Sequence, residues 1–195
     1  MTTPIAQEKA HEPYTYADYL KWDSPNRYEL VDGEAVLLAA PSTSHQRVSG
    51  EIHRQLLNFL EGEKCEAFAA PFDVRLFEKV EDLPENVNTV VQPDITVICD
   101  KSKLDERGCK GAPEMVVEII SPGSLRHDRL VKFNLYQRAG VGELWLVDPA
   151  SSSIEVFLLK DGLLLLHEVY TAKETAKVNS LEGCFIEVGK VFALP

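Results

Sequence analysis

The sequence predicts a single mixed α/β domain, with a central sheet flanked by helices and a C-terminal β-hairpin extension. Three observations predict it. Val48, Ile52, Leu56, Phe59 and Leu60 recur at helical spacing and mark one amphipathic helix. Two apolar runs, Met115–Ile120 and Glu143–Val147, bracket a helical stretch over Leu125–Ala139, the order of a parallel crossover unit. Beyond Ser151 the pattern becomes β, with Lys160-Asp161-Gly162 as a hairpin turn.

Each element follows from local signals. Residues 1–13 are polar and read as a flexible arm, leaving 14–195 as the domain. Thr15 caps a short helix over Tyr16–Trp22. Arg27–Val31 and Glu34–Ala40 form a hairpin around Asp32-Gly33. Pro41-Ser42-Thr43-Ser44 breaks the chain and supplies N-cap hydroxyls for the amphipathic helix, which ends near Glu61-Gly62. Cys65–Ala70 and Phe72–Phe77 read as strands joined at Pro71, and Glu78–Asn88 as an acidic loop. Val90–Cys99 is a strand entered through Pro93, and Asp100–Pro113 a polar connection. Gly140 stops the helix after Ser121, and Asp148-Pro149 closes the next strand. Ile154–Leu159 and Leu163–Tyr170 are the hairpin strands, with a last strand near Phe185–Val188.

Composition narrows the function classes. The 195 residues suit one domain, which can bury about two-thirds of its unfolded surface and needs no disulfide or structural metal. Apolar runs such as Leu163–Leu166 fall far short of the roughly 18–20 residues of a membrane span. Cys65, Cys99, Cys109 and Cys184 form no CxxC pair, which predicts reduced thiols and a cytoplasmic protein. With 31 acidic and 20 basic residues the net charge is −11, so nucleic-acid binding must use a local patch or metal ions. Neither a Gly-rich phosphate loop nor a nucleophile elbow beside His127 is present in the sequence.

Two carboxylates stand in costly places. Asp94 opens a strand directly after Pro93, and Glu118 interrupts the apolar run Met115–Ile120. A charge in such a strand costs several kcal/mol unless it is paired, hydrogen-bonded or metal-bound. One such acid reads first as a buried salt bridge. Two on neighbouring strands form the hard anionic cage that suits Mg²⁺ or Mn²⁺. Asp128, Lys132 and Tyr136 follow at i, i+4 steps on one helix face. Lys132 can reach the acids from there, or it can form a surface pair with Asp128. His45 and His53 read mainly as helix-surface or capping residues, with His45 better placed at the helix start. Arg126, Arg129, Lys132 and Arg138 make this the most basic element; Arg126 and Arg129 are DNA-contact candidates.

Pro93-Asp94, then Glu118-Ile119-Ile120 and Lys132, resembles a PD-(D/E)XK nuclease site with a displaced lysine. The wider pattern resembles the Uma-two family of restriction-endonuclease-like proteins. It is carried by Tyr28 through Glu34, Pro41 through His45, Val91 through Asp94, Val117 through Pro122, and Lys132 through Pro149. The resemblance covers roughly residues 14–190. It implies a restriction-endonuclease-like core, with Asp94, Glu118 and the Ile119 carbonyl holding the metal. The superfamily's usual lysine position is occupied by Ile120, which makes Lys132 the candidate. Glu29 is either an additional acid near the metal or an exposed strand residue. The implied function is metal-dependent hydrolysis of DNA phosphodiesters. The alternatives are a catalytically inactive nuclease fold that binds nucleic acid or protein, and an assembly role in which the β tail forms a homodimer.

Overall fold

The structure is a computed structural model, and it describes residues 12–121, 123 and 126–193. All but two residues of the expected N-terminal arm, and part of the turn after Ser121, lie outside the described residues.

The chain opens with α1 (Tyr16–Tyr19), capped reciprocally by Thr15 and Asp18, and the hairpin β1 (Tyr28–Val31) to β2 (Glu34–Leu37). Asp32 and Gly33 both take positive φ, 49° and 87°, which is why this dipeptide makes the turn. Next, α2 (Thr43–Leu60) is capped by Ser42, whose hydroxyl accepts the His45 N–H at 3.2 Å. Its buried face is Val48, Ile52, Leu56 and Leu60. Then follow β3 (Glu66–Ala69), β4 (Val74–Arg75), β5 (Ile95–Ile98), β6 (Leu104–Asp105), β7 (Gly108–Lys110) and β8 (Met115–Ile119). A π-helical segment (His127–Lys132) runs into α3 (Phe133–Ala139), closed by Gly140 in the left-handed region. Last come β9 (Glu143–Asp148), β10 (Ser153–Lys160), β11 (Leu163–Thr171), β12 (Thr175–Lys177), β13 (Phe185–Glu187) and α4 (Val188–Val191).

The central sheet has the order β11-β10-β9-β8-β5-β3. Only β8 and β9 run parallel, joined by the crossover helix, and the other pairs are antiparallel. Both faces are covered. Met115, Val117, Ile119, Trp145 and Val147 pack with α2 and the C-terminal segment. Val116, Ile120, Leu144 and Leu146 pack with Leu135 and Tyr136 of α3. Strand residues alternate faces, so Glu118 belongs to the α3-facing row of β8.

Several expectations are corrected. Cys65 and Cys99 are joined in a disulfide, while only Cys109 and Cys184 are free, so reduced thiols no longer support a cytoplasmic location. The β3–β5 register pairs Glu66 with Ile98, and one step further sets Cys65 opposite Cys99. The Asp100–Pro113 connection is not simply polar: it holds β6 and β7, which join β4 in a three-stranded sheet. The strand expected over Val90–Cys99 is regular only at Ile95–Ile98, because Val90 and Val91 make isolated bridges to Leu30 and Val74. The expected strand Phe72–Phe77 shortens to Val74–Arg75. β12 has no counterpart among the expected elements. No helix among the described residues is long and apolar enough to cross a membrane.

Candidate active site

The β5–β8 register pairs Ile95 with Val117, so the next step outward sets Asp94 opposite Glu118. Directly opposed residues bring their Cβ atoms to about 5 Å. Each acid is fixed through one oxygen. The Asp94 Oδ2 accepts the Ile119 N–H at 2.8 Å and lies 3.1 Å from His45 Nε2. Glu118 Oε1 lies 2.6 Å from Lys132 Nζ and accepts the Tyr136 hydroxyl. Among the described residues, the Asp94 Oδ1 and Glu118 Oε2 accept no hydrogen bond.

Glu29 completes the cluster from the first hairpin. It is fully buried, which overturns its reading as an exposed strand residue. Its Oε1 lies 2.9 Å from Lys132 Nζ and accepts the Gln92 N–H at 2.8 Å, while Oε2 lies 3.2 Å from His127 Nε2. Asp128 and Lys132 are buried at 5% and 3% exposure, so a surface ion pair is excluded. The π-helical winding sits where these two side chains enter the site, a position at which widened turns recur in functional centres.

Electrostatics separate the two glutamates. Burial raises the Glu118 carboxyl well above its usual value; Lys132 opposes this, and Asp94, Asp128 and Glu29 reinforce it. Burial acts the same way on Glu29, but Lys132, His127 and the Gln92 N–H outweigh it and bring it down to about 2. Lys132 is pushed above its ordinary value: burial works against its charge, and Glu118, Glu29 and Asp128 more than compensate. Two carboxylates thus share one ammonium, and Glu29 is the one that firmly holds its negative charge. Tyr136 is driven well above its usual value by burial and by Glu118, so it acts as a donor.

Asp94, Glu118, Ile119, Lys132, Glu29 and His45 therefore come together. The DNA-contact candidates do not join them. Arg129 is bound by both oxygens of Glu155 at 2.8 and 2.9 Å, and Arg126 is exposed. His53 instead contacts the Ala67 carbonyl at 3.1 Å. His127 and Gln92 had no assigned role in the sequence; their contacts with Glu29 depend on long-range packing that no local pattern records. For Tyr136 the i, i+4 spacing from Lys132 was the available signal.

Among the described residues, no three His, Cys, Asp or Glu side chains form a metal-holding group. The donor chemistry nonetheless fits Mg²⁺ or Mn²⁺. Small hard cations of this kind are held by one or two carboxylates and keep several waters. Asp94 Oδ1, Glu118 Oε2 and the Ile119 carbonyl are the candidate donors, and the bonds to their neighbouring atoms supply the orienting outer layer.

A mixed sheet with two central acids and a buried lysine defines a restriction-endonuclease-like α/β protein. The family described as "Putative restriction endonuclease", Uma2, matches residues 16–189, and the chain belongs to that family. An uncharacterized protein of Synechocystis sp. is 27% identical over 143 residues, covering 72% of this chain and 70% of its own length. A second uncharacterized Synechocystis protein is 24% identical over 127 residues, covering 63% and 67%. A crystal structure from Anabaena variabilis, described as "a putative nuclease belonging to DUF820", matches with TM-score 0.71 and 18% identity. It covers 92% of this chain and 98% of that one, a likeness that shows the fold.

Proposed function

We propose that the protein is a divalent-metal-dependent endonuclease that hydrolyses phosphodiester bonds in DNA. The observation that carries this reading is the paired arrangement of Asp94 and Glu118, each anchored through one oxygen with the other accepting no hydrogen bond among the described residues, beside the Lys132 ammonium. A bound Mg²⁺ or Mn²⁺ would supply Lewis acidity and an activated water. Asp94 and Glu118 would hold it with the Ile119 carbonyl. Asp94, at 18% side-chain exposure, is the accessible edge of the site. Lys132 places a fixed positive charge beside Glu118, where it stabilises negative charge developing on the phosphate. Glu29 and Tyr136 hold that arrangement in place.

The second reading is a catalytically inactive nuclease fold that binds nucleic acid or protein partners. It is favoured by the clamp of Lys132 between two carboxylates and by the net charge of −11. Incubation of single- and double-stranded DNA with Mn²⁺ separates the two. The nuclease reading expects cleavage by wild type and a loss of about 100-fold or more in Asp94→Ala and Lys132→Met. Cleavage equal in Asp94→Ala, or intact DNA with wild type, contradicts it.

A further inference from the structure

A cavity of about 470 Å³ opens at His45, the neighbour of Asp94, within the range of about 300–1,000 Å³ typical of small-ligand sites. It lies at the carboxyl ends of the parallel strands β8 and β9, the usual place for a ligand in such a sheet. His45 links it to the site, since it lines the cavity and sits 3.1 Å from Asp94. Ile120, directly after Ile119, forms another part of the wall.

The walls select a chemistry. Ile120, Pro149 and Ala150 offer apolar surface, and Ser44 a hydroxyl. Asp148 adds a carboxylate fixed by the Ala150 N–H at 2.9 Å and the Ser151 hydroxyl at 2.8 Å. A fixed negative wall repels phosphate and accepts from an amino group. Arg129 is paired with Glu155, and Lys132 is buried between Glu29 and Glu118. A flat apolar-faced group bearing N–H donors fits this cavity better than a phosphate does.

We infer that the cavity bounded by Ile120, Asp148, Pro149 and Ala150 receives one unpaired nucleobase next to the phosphate held at Asp94 and Glu118. The substrate class is single-stranded or locally unstacked DNA, with amino-bearing bases preferred over thymine. This rests on the nuclease reading for the location of the phosphate.

The test is fluorescence anisotropy with labelled oligo(dC), oligo(dT) and a blunt duplex of equal length, with Ca²⁺ in place of Mn²⁺ and a gel confirming that the probes stay uncut, so that binding is read without cleavage. Ala150→Phe and Ser44→Phe fill the cavity from two exposed walls, and circular dichroism checks their fold. The inference expects oligo(dC) to bind more tightly than the duplex, and both filling variants to weaken it about tenfold. It also expects Asp148→Asn to erase the preference for oligo(dC) over oligo(dT). Equal binding of duplex and single strand overturns it, as does unchanged binding in both filling variants. Displacement of oligo(dC) by millimolar inorganic phosphate in wild type but not in Ala150→Phe overturns it in favour of a phosphate seat. If Mn²⁺ supports no cleavage while these binding differences hold, the nuclease reading fails and the cavity inference stands. Cleavage with binding indifferent to the filling variants gives the reverse.

Discussion

Glu29 shows how much one side chain can hold together. It is fully buried, yet it binds the Lys132 ammonium, the Gln92 amide and the His127 ring, drawing three chain segments to one point. Its carboxyl falls from 4.5 to about 2 on folding, with burial opposing the shift and Lys132 driving it. A depressed folded value gives stability that is present above 4.5 and lost as pH falls toward 2. The size is about 3 kcal/mol. Urea unfolding of wild type and Glu29→Gln checks this: the gap in their stabilities is expected to close by about that amount between about pH 6 and pH 2. A gap that stays constant contradicts it. The sequence left Glu29 open between two readings because a hairpin residue shows its burial only once β1 docks on Val90 and Gln92. Glu118 was legible because an acid inside an apolar run is anomalous before any packing is known.

Elements with a strong period were readable, and those set by distant partners were not. The buried face of α2 and the β8–helix–β9 crossover stand where periodicity and apolar runs place them. The disulfide between Cys65 and Cys99 spans 34 residues and depends on the β3–β5 register, which no local signal gives. The small β4-β7-β6 sheet was hidden for a related reason: its strands are two or three residues long, too short to show alternation. Gly108 marks it instead. Its φ is +131°, and an added Cβ would come within 2.1 Å of the Asp73 carbonyl oxygen. Gly108→Ala is therefore expected to cost about 1–3 kcal/mol in urea unfolding, since both the backbone conformation and the close approach exclude a side chain. A variant as stable as wild type contradicts this account of the turn.

At the scale of the molecule, a net charge of −11 surrounds a site built from acids. The helix with the most basic residues turns Lys132 inward to Glu29 and Glu118 and pairs Arg129 with Glu155, while Arg126 and Arg138 stay at the surface. That pattern was not legible from the count of charges along the helix, because it depends on what the sheet and first hairpin place opposite. A cation at Asp94 and Glu118 would offset their repulsion and give a phosphate a positive anchor. Titration of Mn²⁺ into wild type and Asp94→Ala by calorimetry at neutral pH and high protein concentration tests this most directly. Binding to wild type that disappears in Asp94→Ala is expected; no binding, or binding equal in the two proteins, would contradict a metal site at these acids.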